Sequence, residues 1–576
     1  MTDTKSMRPR RRFWGWGLES DELQPMEVAI VKGLMARVGL AAGELPTPPQ
    51  ASDFALPVPR IEPPPSLADA FSCSAHDRLT HSYGKSFADA VRMWKRELPC
   101  PPDRVAFPAD DQAVADILDW AGRENVAVVP YGGGTSVCGG VEPAVGDEYR
   151  AVVSLDLERL DRVIEVDRTS RSARIQGGIF GPDLETQLRP HGLTLRHFPQ
   201  SFQFSTLGGW IVTRSGGHYA TLGTHIDEFV QSVRMVTPAG VLATRRLPGS
   251  GAGPDANRLV TGSEGVLGVV TEAWMRLQDR PRFRASASAR FGDFAAAANC
   301  VRALSQSGLN PSNCRLLDPA EAAFAGVGDG KHSLLVLGFE SADHELQAWM
   351  ERALELVRDF GGEYDAAAVE RSMKSVATDD EGEHRKGAAG QWRDAFIRMP
   401  YWRDPMVGAG AILDTFETAI TWDQFEGFYR GVRDEVAAAI RRATGRPGSV
   451  SCRFTHVYPD GPAPYFTYAA LGSDKGDLAS SLAAWREIKL VCNDVVTRLG
   501  GTVTHHHAVG RDHRSGYEQE SSSVYRDALR AAKASLDPHG VMNPGVLIDP
   551  LGRKVGITGA LGPRNRANGN HSQFAS

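Results

Sequence analysis

Val126-Ala-Val-Val-Pro-Tyr131 runs directly into Gly132-Gly133-Gly134-Thr135-Ser136-Val137-Cys138-Gly139-Gly140, and this stretch decides the fold. A short apolar run, read as a buried strand, ends in the densest glycine cluster of a chain that holds 60 glycines. Residues without side chains let successive N–H groups converge on an anion, and the Thr135 and Ser136 hydroxyls add donors, so the loop suits a diphosphate. Spacing excludes two other phosphate loops. A G-x-G-x-x-G pattern counted from Gly132 needs glycine where Val137 stands, and a P-loop needs Gly-Lys where Gly139-Gly140 stands. Taken alone, the stretch is equally compatible with a glycine-rich hairpin that binds nothing.

Upstream, residues 111–126 carry Val114, Ile117, Leu118 and Ala121 at helical spacing, so a helix feeds the strand. Downstream, AVVSLDL, VIEVD and SARIQGG alternate as strands, and GPDLETQLRPHG returns to helix. Two later segments repeat the supply of small residues and hydroxyls where backbone passes close to a ligand. The first is Pro199-Gln200-Ser201-Phe202-Gln203-Phe204-Ser205-Thr206-Leu-Gly-Gly209, continuing as Trp210-Ile-Val-Thr213-Arg214-Ser215-Gly216-Gly217. The second is Thr261-Gly-Ser-Glu264-Gly265-Val266-Leu267-Gly268-Val269-Val270-Thr271.

A chain of 576 residues exceeds what one core supports, because single domains stop growing near about 250–300 residues, so at least two domains are expected. The first 99 residues hold two Pro-rich linkers, at 46–50 and 57–65, and read as an arm wrapping another domain. Over 281–500 the strand-like FRASASARF, the helical FAAAANCVRALSQSG and the run HSLLVLGFES predict an antiparallel sheet with helices on one face, an α+β unit. Residues 377–392 read as a solvated or mobile loop, and 551–576 as a disordered tail.

Composition narrows the partners. Lys plus Arg at 64 against Asp plus Glu at 70 gives a net charge of −6, which argues against nucleic acid and for small molecules. The 7 cysteines are scattered without a C-x-x-C pair, so neither a disulfide framework nor structural zinc is indicated, and a reducing cytoplasm fits. No stretch approaches the ~18 apolar residues of a membrane span, and the N-terminus lacks the apolar core of a signal peptide, so a cytoplasmic protein is expected.

In order and content the three glycine-rich segments resemble the FAD-binding domain of the vanillyl-alcohol oxidase and para-cresol methylhydroxylase superfamily. The resemblance covers about residues 100–280. It implies an α+β fold: a two-subdomain FAD-binding domain over 100–280, a cap or substrate domain over 281–500, and a segment 501–550 that returns to the FAD domain. It implies FAD contacts from Tyr131 to Val137 around the diphosphate. It implies further contacts from Gln200 to Thr206, Thr213 to Gly216 and Glu264 to Val270 along the isoalloxazine and adenine sides. Some relatives tether the flavin through a histidine in the glycine loop. Thr135 stands there in this chain, so the FAD is expected to be non-covalent.

Thr504-His505-His506-His507-Ala508-Val509-Gly510-Arg511, Cys452-Arg453-Phe454-Thr455, Tyr465-Phe466-Thr467-Tyr468 and the opening FWGWGLESDEL extend the resemblance to the alkylglycerone-phosphate synthases of ether-lipid synthesis. Ala508 departs from the glycine usual there, and the peroxisomal import signal is absent. The resemblance implies exchange of the acyl group of acyl-dihydroxyacetone phosphate for a long-chain fatty alcohol through a flavin N5 adduct, without net redox. It also implies a homodimer.

Tyr465 resembles the family's proton-transfer tyrosine, whose phenol, near pKa 10 when unperturbed, needs neighbouring cations or donors to lower it. A strand through His505, His506 and His507 would put 505 and 507 on one face and 506 on the other. The run alone leaves proton and phosphate handling, a metal pair at i and i+2, and structural histidines open; the resemblance implies catalysis, and no metal is expected. Arg403 is expected to bind the phosphate headgroup and Arg315 to organise the active site, with ion pairs to Asp404 and Asp318 as the plainer alternative. Leu536 to Gly545 resembles the superfamily's closing turn, which brings Pro544 to Ile548 near the site. Arg8 to Arg12 with Trp14 and Trp16 read either as a contact with the inner face of a membrane or as a basic end packed on its own protein.

The rival reading is an FAD-dependent D-2-hydroxy-acid dehydrogenase of the D-lactate or glycolate type. Its H-x-G-D-G-N-x-H-like segment is partly kept in His456-Val-Tyr-Pro-Asp-Gly461 but lacks the second histidine. An FAD-binding scaffold with a degenerate site is the non-enzyme alternative. Acid precipitation of the yellow protein is expected to leave a colourless pellet and all FAD in the supernatant, read by absorbance.

Overall fold

The computed structural model describes residues 9–40, 43–374, 388–472, 477–553, 555 and 559–562, with side chains of 388–396 left aside. Arg8, residues 377–387 of the expected loop, and 554, 556–558 and 563–576 of the expected tail lie outside the described residues; residues 388–392 open a helix instead.

The Asp111–Glu124 helix starts where Asp110 accepts the Ala113 N–H and stops at Asn125, in the left-handed region at φ 54°. Its face of Val114, Ile117, Leu118 and Ala121 is buried against the strand it feeds, Val126–Tyr131. That strand pairs in parallel with Ala151–Asp156, which pairs in parallel with Arg104–Ala106, and Phe71–Ser72 closes the four-stranded sheet antiparallel. A second, five-stranded antiparallel sheet orders Val163–Asp167, Ser172–Gln176, Val269–Arg276, Val230–Thr237 and Gly240–Ala243. The first glycine-rich segment leaves the end of Val126–Tyr131, the third leads into Val269–Arg276, and the second runs through the Leu207–Thr213 helix between them.

The cap is a seven-stranded antiparallel sheet in the order Glu363–Tyr364, Phe283–Phe291, Ser333–Ser341, Asn313–Leu317, Ser449–Val457, Pro462–Leu471, Ala411–Glu417. One face carries Cys314, Leu316, Cys452, Phe454, Phe466 and Tyr468 into a core shared with the helices Phe294–Gln306, Gln347–Asp359, Trp422–Thr444 and Leu478–Arg498. Strict alternation then sends Arg315, Arg453, Thr455, Tyr465 and Thr467 to the opposite face.

The first 99 residues are more than an arm. They contain the Pro25–Arg37 and Ala75–Thr80 helices and a third, Phe87–Trp94, in which every residue is buried. Ser86 caps it by accepting the Asp89 N–H, and Phe87, Val91 and Trp94 enter the core of the cap. The Pro-rich linkers gave no hint of this, because the polar face of the helix is also buried, Arg92 pairing with Asp89 and Glu142, and its apolar partners come from far along the chain. The C-terminal segment returns to the first sheet: Val128 N–H donates to Val541 O, and Asn543 N–H to Val128 O, both at 2.8 Å. Ala560, inside the expected tail, is buried. Among the described residues no helix is long and apolar enough to cross a membrane.

Phe87 is fully buried beside Trp485, so Phe87→Ala is expected to cost about 3–5 kcal/mol, measured as a shift in urea unfolding.

Candidate active site

The Val126–Tyr131 strand delivers its glycine loop to a cavity of about 300 Å³. A Cβ on Gly133 would collide with the Phe204 carbonyl oxygen, and one on Gly132 with Thr206 Oγ1, so segments 132–134 and 204–206 lie backbone against backbone. From Gly132 to Val137 no backbone N–H donates to an acceptor among the described residues, whereas the N–H groups of Cys138 and Gly140 both donate to Ser136 Oγ. Unengaged N–H groups along a cavity wall are what a bound anion needs. Gln200, Thr213, Gly265 and Val270 continue the same wall. The residues present therefore fit a dinucleotide with its diphosphate on this loop. From behind, Tyr131 Oη donates to Thr80 O at 2.9 Å, and Arg11 binds both Gly132 O at 3.2 Å and Asp156 at 3.1 Å.

Across the cavity stands the free face of the cap sheet. Its register places Leu317, Arg453, Tyr465 and Glu417 in one row. The Arg453 guanidinium lies 3.9 Å from the Tyr465 ring centroid and is paired with buried Glu321, while Tyr465 Oη donates to Thr415 Oγ1 at 3.0 Å. Burial pushes the Tyr465 phenol up, and Arg453 pulls against it without prevailing. The expectation that neighbouring cations lower it is thereby corrected: desolvation outweighs one guanidinium that is already paired with a carboxylate.

The histidine run is a bend, not a strand. The Glu417 carboxylate accepts the N–H of His505 at 2.7 Å, His506 at 3.1 Å and His507 at 3.0 Å, and the Thr504 hydroxyl at 2.5 Å. Three consecutive N–H groups converge on one carboxylate only if the backbone curls, which a strand forbids. His506 Nδ1 also stands 3.2 Å from Glu417; burial pushes this carboxyl up, but the interaction with the imidazoles, His506 foremost, outweighs it and holds the carboxyl well below the usual range. His506 and His507 line the cavity, with His506 stacked on Tyr465 and His507 edge-on to it. His505 sits behind them, its Nε2 sharing a 2.7 Å hydrogen bond with Tyr458 Oη. Burial drives His456, His505 and His507 well down, so these imidazoles are neutral near pH 7.

Ala508 follows the bend at φ 71°, a region glycine enters without steric cost. The alanine keeps the turn at the expense of local strain, and the same segment is tied down by Glu264, which accepts the N–H groups of Val509 at 2.9 Å and Gly510 at 2.7 Å. Burial pushes the Glu264 carboxyl up to about 7.

Of the residues expected to hold FAD, Tyr131 to Val137, Gln200, Ser201, Ser205, Thr206, Thr213, Ser215, Gly216, Glu264, Gly265 and Gly268 to Val270 line the cavity. Six do not. Phe202 stacks on Trp210, Gln203 is exposed, and Phe204 packs edge-on against Trp16. Arg214 turns to Asp227 at 3.4 Å, and Val266 and Leu267 are fully buried in the core of the second sheet. Val546, Leu547 and Ile548 join that core, so Asn543 rather than Pro544 to Ile548 reaches the cavity; its Nδ2 donates to Glu264 O at 2.7 Å and Gly140 O at 3.1 Å.

Arg315 lines the cavity and donates to His218 O at 3.4 Å; burial and the adjacent Arg453 push it down to about 9. Asp318 spends its carboxylate on the Glu321 and Cys452 N–H groups and the Tyr429 hydroxyl. Arg403 Nη2 donates to Lys85 O at 2.8 Å, and Asp404 stands 3.9 Å away. Trp16 is buried at the cavity wall and Trp14 packs edge-on against Trp94, so the N-terminal tryptophans pack on their own protein.

Sequence reasoning missed Glu417, Lys85, Trp16 and Asn543 as site residues and quoted Arg453 only within a motif. Alternation along SCRFTHV and PYFTY was the available signal for Arg453. Glu417, in LDTFE, had none.

Nitrogen atoms of His456, His505 and His506 lie within 4.8 Å of one another, close enough to hold a metal ion. In this arrangement they are hydrogen-bonded: His456 to Thr455 Oγ1 and Gly217 O, His505 Nδ1 to His506 Nδ1 at 3.1 Å. The i, i+2 pair expected from a strand is not what comes together.

Residues 102–245 match the family model of an FAD binding domain, and residues 280–547 that of the C-terminal domain of FAD linked oxidases. The alkyldihydroxyacetonephosphate synthase of Trypanosoma brucei brucei is 29% identical over 506 residues, 83% of this chain and 78% of that protein. A solved alkyldihydroxyacetonephosphate synthase matches with a TM-score of 0.74 at 24% identity, over 93% of this chain and 97% of that one. p-Cresol methylhydroxylase with substrate bound matches at 0.60 with 13% identity, over 92% and 99%. The chain is an FAD-dependent enzyme whose α+β fold is that seen in p-cresol methylhydroxylase. Within that class it is similar along most of its length to alkyldihydroxyacetonephosphate synthases.

Glu417→Gln keeps the shape and removes the charge that gathers the bend. Turnover is expected to fall about 100-fold with flavin content unchanged, read from steady-state rates and the visible absorbance of the purified variant.

Proposed function

We propose that this protein is an alkyldihydroxyacetonephosphate synthase: it exchanges the acyl group of acyl-dihydroxyacetone phosphate for a long-chain alcohol and so forms an ether bond. One observation carries the reading. Proton-handling groups (Tyr465, His506, His507), cations (Arg315, Arg403) and an apolar wall (Phe324, Met399, Leu413) share a single cavity with the FAD-fitting glycine loop. Headgroup, reacting carbon and alkyl chain each find matching chemistry there.

Bound FAD, held by Tyr131 to Val137 and the 200–206, 213–216 and 264–270 segments, supplies an electrophilic ring that takes up and returns an electron pair, so the exchange needs no net oxidation. The protein supplies the rest. Arg403 holds the phosphate, and Arg315 keeps positive charge beside the reacting end. His507, kept neutral by burial, is free to accept a proton, while Tyr465 Oη, pushed up by burial, holds its own until the leaving oxygen takes it, and the phenolate can recover a proton from the attacking alcohol. Arg453 over the ring then stabilises the phenolate that remains. A homodimer in the cytoplasm, touching the inner face of a membrane to collect its lipid substrates, belongs to the same proposal, and Trp14, partly buried against Trp94, and buried Trp16 leave that contact to other surfaces.

Incubation with acyl-dihydroxyacetone phosphate and hexadecanol is expected to yield the ether by mass spectrometry, with no bleaching of an electron-accepting dye. Dye bleaching by 2-hydroxy acids without ether would replace this reading by the dehydrogenase. Arg403→Lys is expected to raise KM for the phosphate substrate about 10- to 100-fold.

A further inference from the structure

Lys85 lies just before the buried Phe87–Trp94 helix and lines the main cavity together with Arg403. It also lines a small adjoining cavity beneath the N-terminal hairpin, beside Gly133 and Thr135. Its backbone is engaged on both sides: the N–H donates to Ser136 O at 2.6 Å, and the carbonyl accepts Arg403 Nη2 at 2.8 Å. Its ammonium is provided for far less well. Nζ donates to Arg12 O at 3.2 Å, and among the described residues no carboxylate lies within 4.0 Å of it. The acid that acts on it most strongly, Asp404, already accepts the Trp16 N–H at 2.5 Å and faces Arg403 at 3.9 Å. Two cations thus stand side by side at one wall with one committed carboxylate between them.

We infer that Lys85 is a second cation of the substrate's phosphate site, its ammonium binding the phosphomonoester headgroup beside the Arg403 guanidinium. The inference rests on the synthase reading for the identity of the substrate. A phosphomonoester near neutral pH carries close to two negative charges, which one guanidinium leaves half balanced. Burial, only partly offset by Asp404 and Asp89 and reinforced by Arg11 and Arg403, pushes the Lys85 ammonium down to about 8, a cost that a bound dianion offsets. The rigid coupling of Lys85 to Ser136 and to Arg403 fixes the distance between the glycine loop and the headgroup, so the two anions of the working enzyme are held in separate places. Lys85 is the counterpart of a charge absent from the protein itself.

The same ammonium could serve the diphosphate of the cofactor, and the experiment separates the two. Holoenzyme forms of the wild type, Lys85→Gln and Lys85→Arg are titrated with inorganic phosphate, followed by flavin absorbance, and assayed for KM, kcat and FAD dissociation. Expected for Lys85→Gln is a loss of about tenfold or more in phosphate affinity and a matching rise in KM, with kcat and FAD affinity within about twofold, and partial recovery in Lys85→Arg. Weaker FAD binding with unchanged phosphate affinity, or no change in either, overturns the proposal. Should Lys85→Gln fail to fold, failure of Lys85→Arg to keep phosphate affinity within about threefold of wild type overturns it, since a second cation of equal charge would then not serve. A wild type that makes no ether sinks the synthase reading, while the phosphate titration still judges Lys85 by itself.

Discussion

A carboxylate buried without partners costs several kcal/mol, and the Glu417 side chain meets that demand by collecting four hydrogens from residues 504–507. Everything around the cavity depends on this convergence. It ends the strand that carries Glu417, curls the histidine run into a bend, and turns His506 and His507 toward Tyr465 while leaving His505 behind them. It also ties the cap sheet to the segment that goes back to the glycine loop, so the reactive side chains and the cofactor cradle share one frame. Glu264 performs the reciprocal task from the other side, binding the N–H groups of Val509 and Gly510. Two carboxylates from opposite domains thus grip one stretch of the chain.

The cavity is assembled from three parts of the polypeptide, each bringing a different physical asset. The glycine loops bring unengaged N–H groups, the cap sheet brings a row of polar side chains on its one uncovered face, and the N-terminal residues bring cations and an indole wall. Burial sets the protonation states that result. The imidazoles of His456, His505 and His507 stay neutral and the phenol stays protonated because burial disfavours their charged forms, and the guanidiniums at 315 and 453, on neighbouring strands of one face, push against each other.

The glycine loop was legible because its information is local: strand, glycines and hydroxyls follow one another within a few residues. The helix at 111–124 and the alternating cap strands were legible for the same reason, since period 3.6 and period 2 are short-range signals. What could not be read depends on register. Arg453 meets Tyr465, and Tyr465 meets Glu417, only once two strand pairings are fixed, and no spacing in the chain encodes those. The strand assigned to the histidines failed because its shape is imposed by a carboxylate 87 to 90 residues earlier. Phe202, Val266 and Leu267 were swept up as cofactor contacts because a motif carries its packing residues along with its binding ones.

The hairpin of residues 11–18 is wedged between the glycine loop, through Arg11, Gly132 and Asp156, and the helix that holds Asp404, through the Trp16 N–H. Its last partner lies 388 positions downstream. At a ribosomal pace of about 5–20 residues per second, residues 11–18 therefore wait some tens of seconds before their docking place exists. Until that place exists, the nucleotide cradle lacks its wall on that flank.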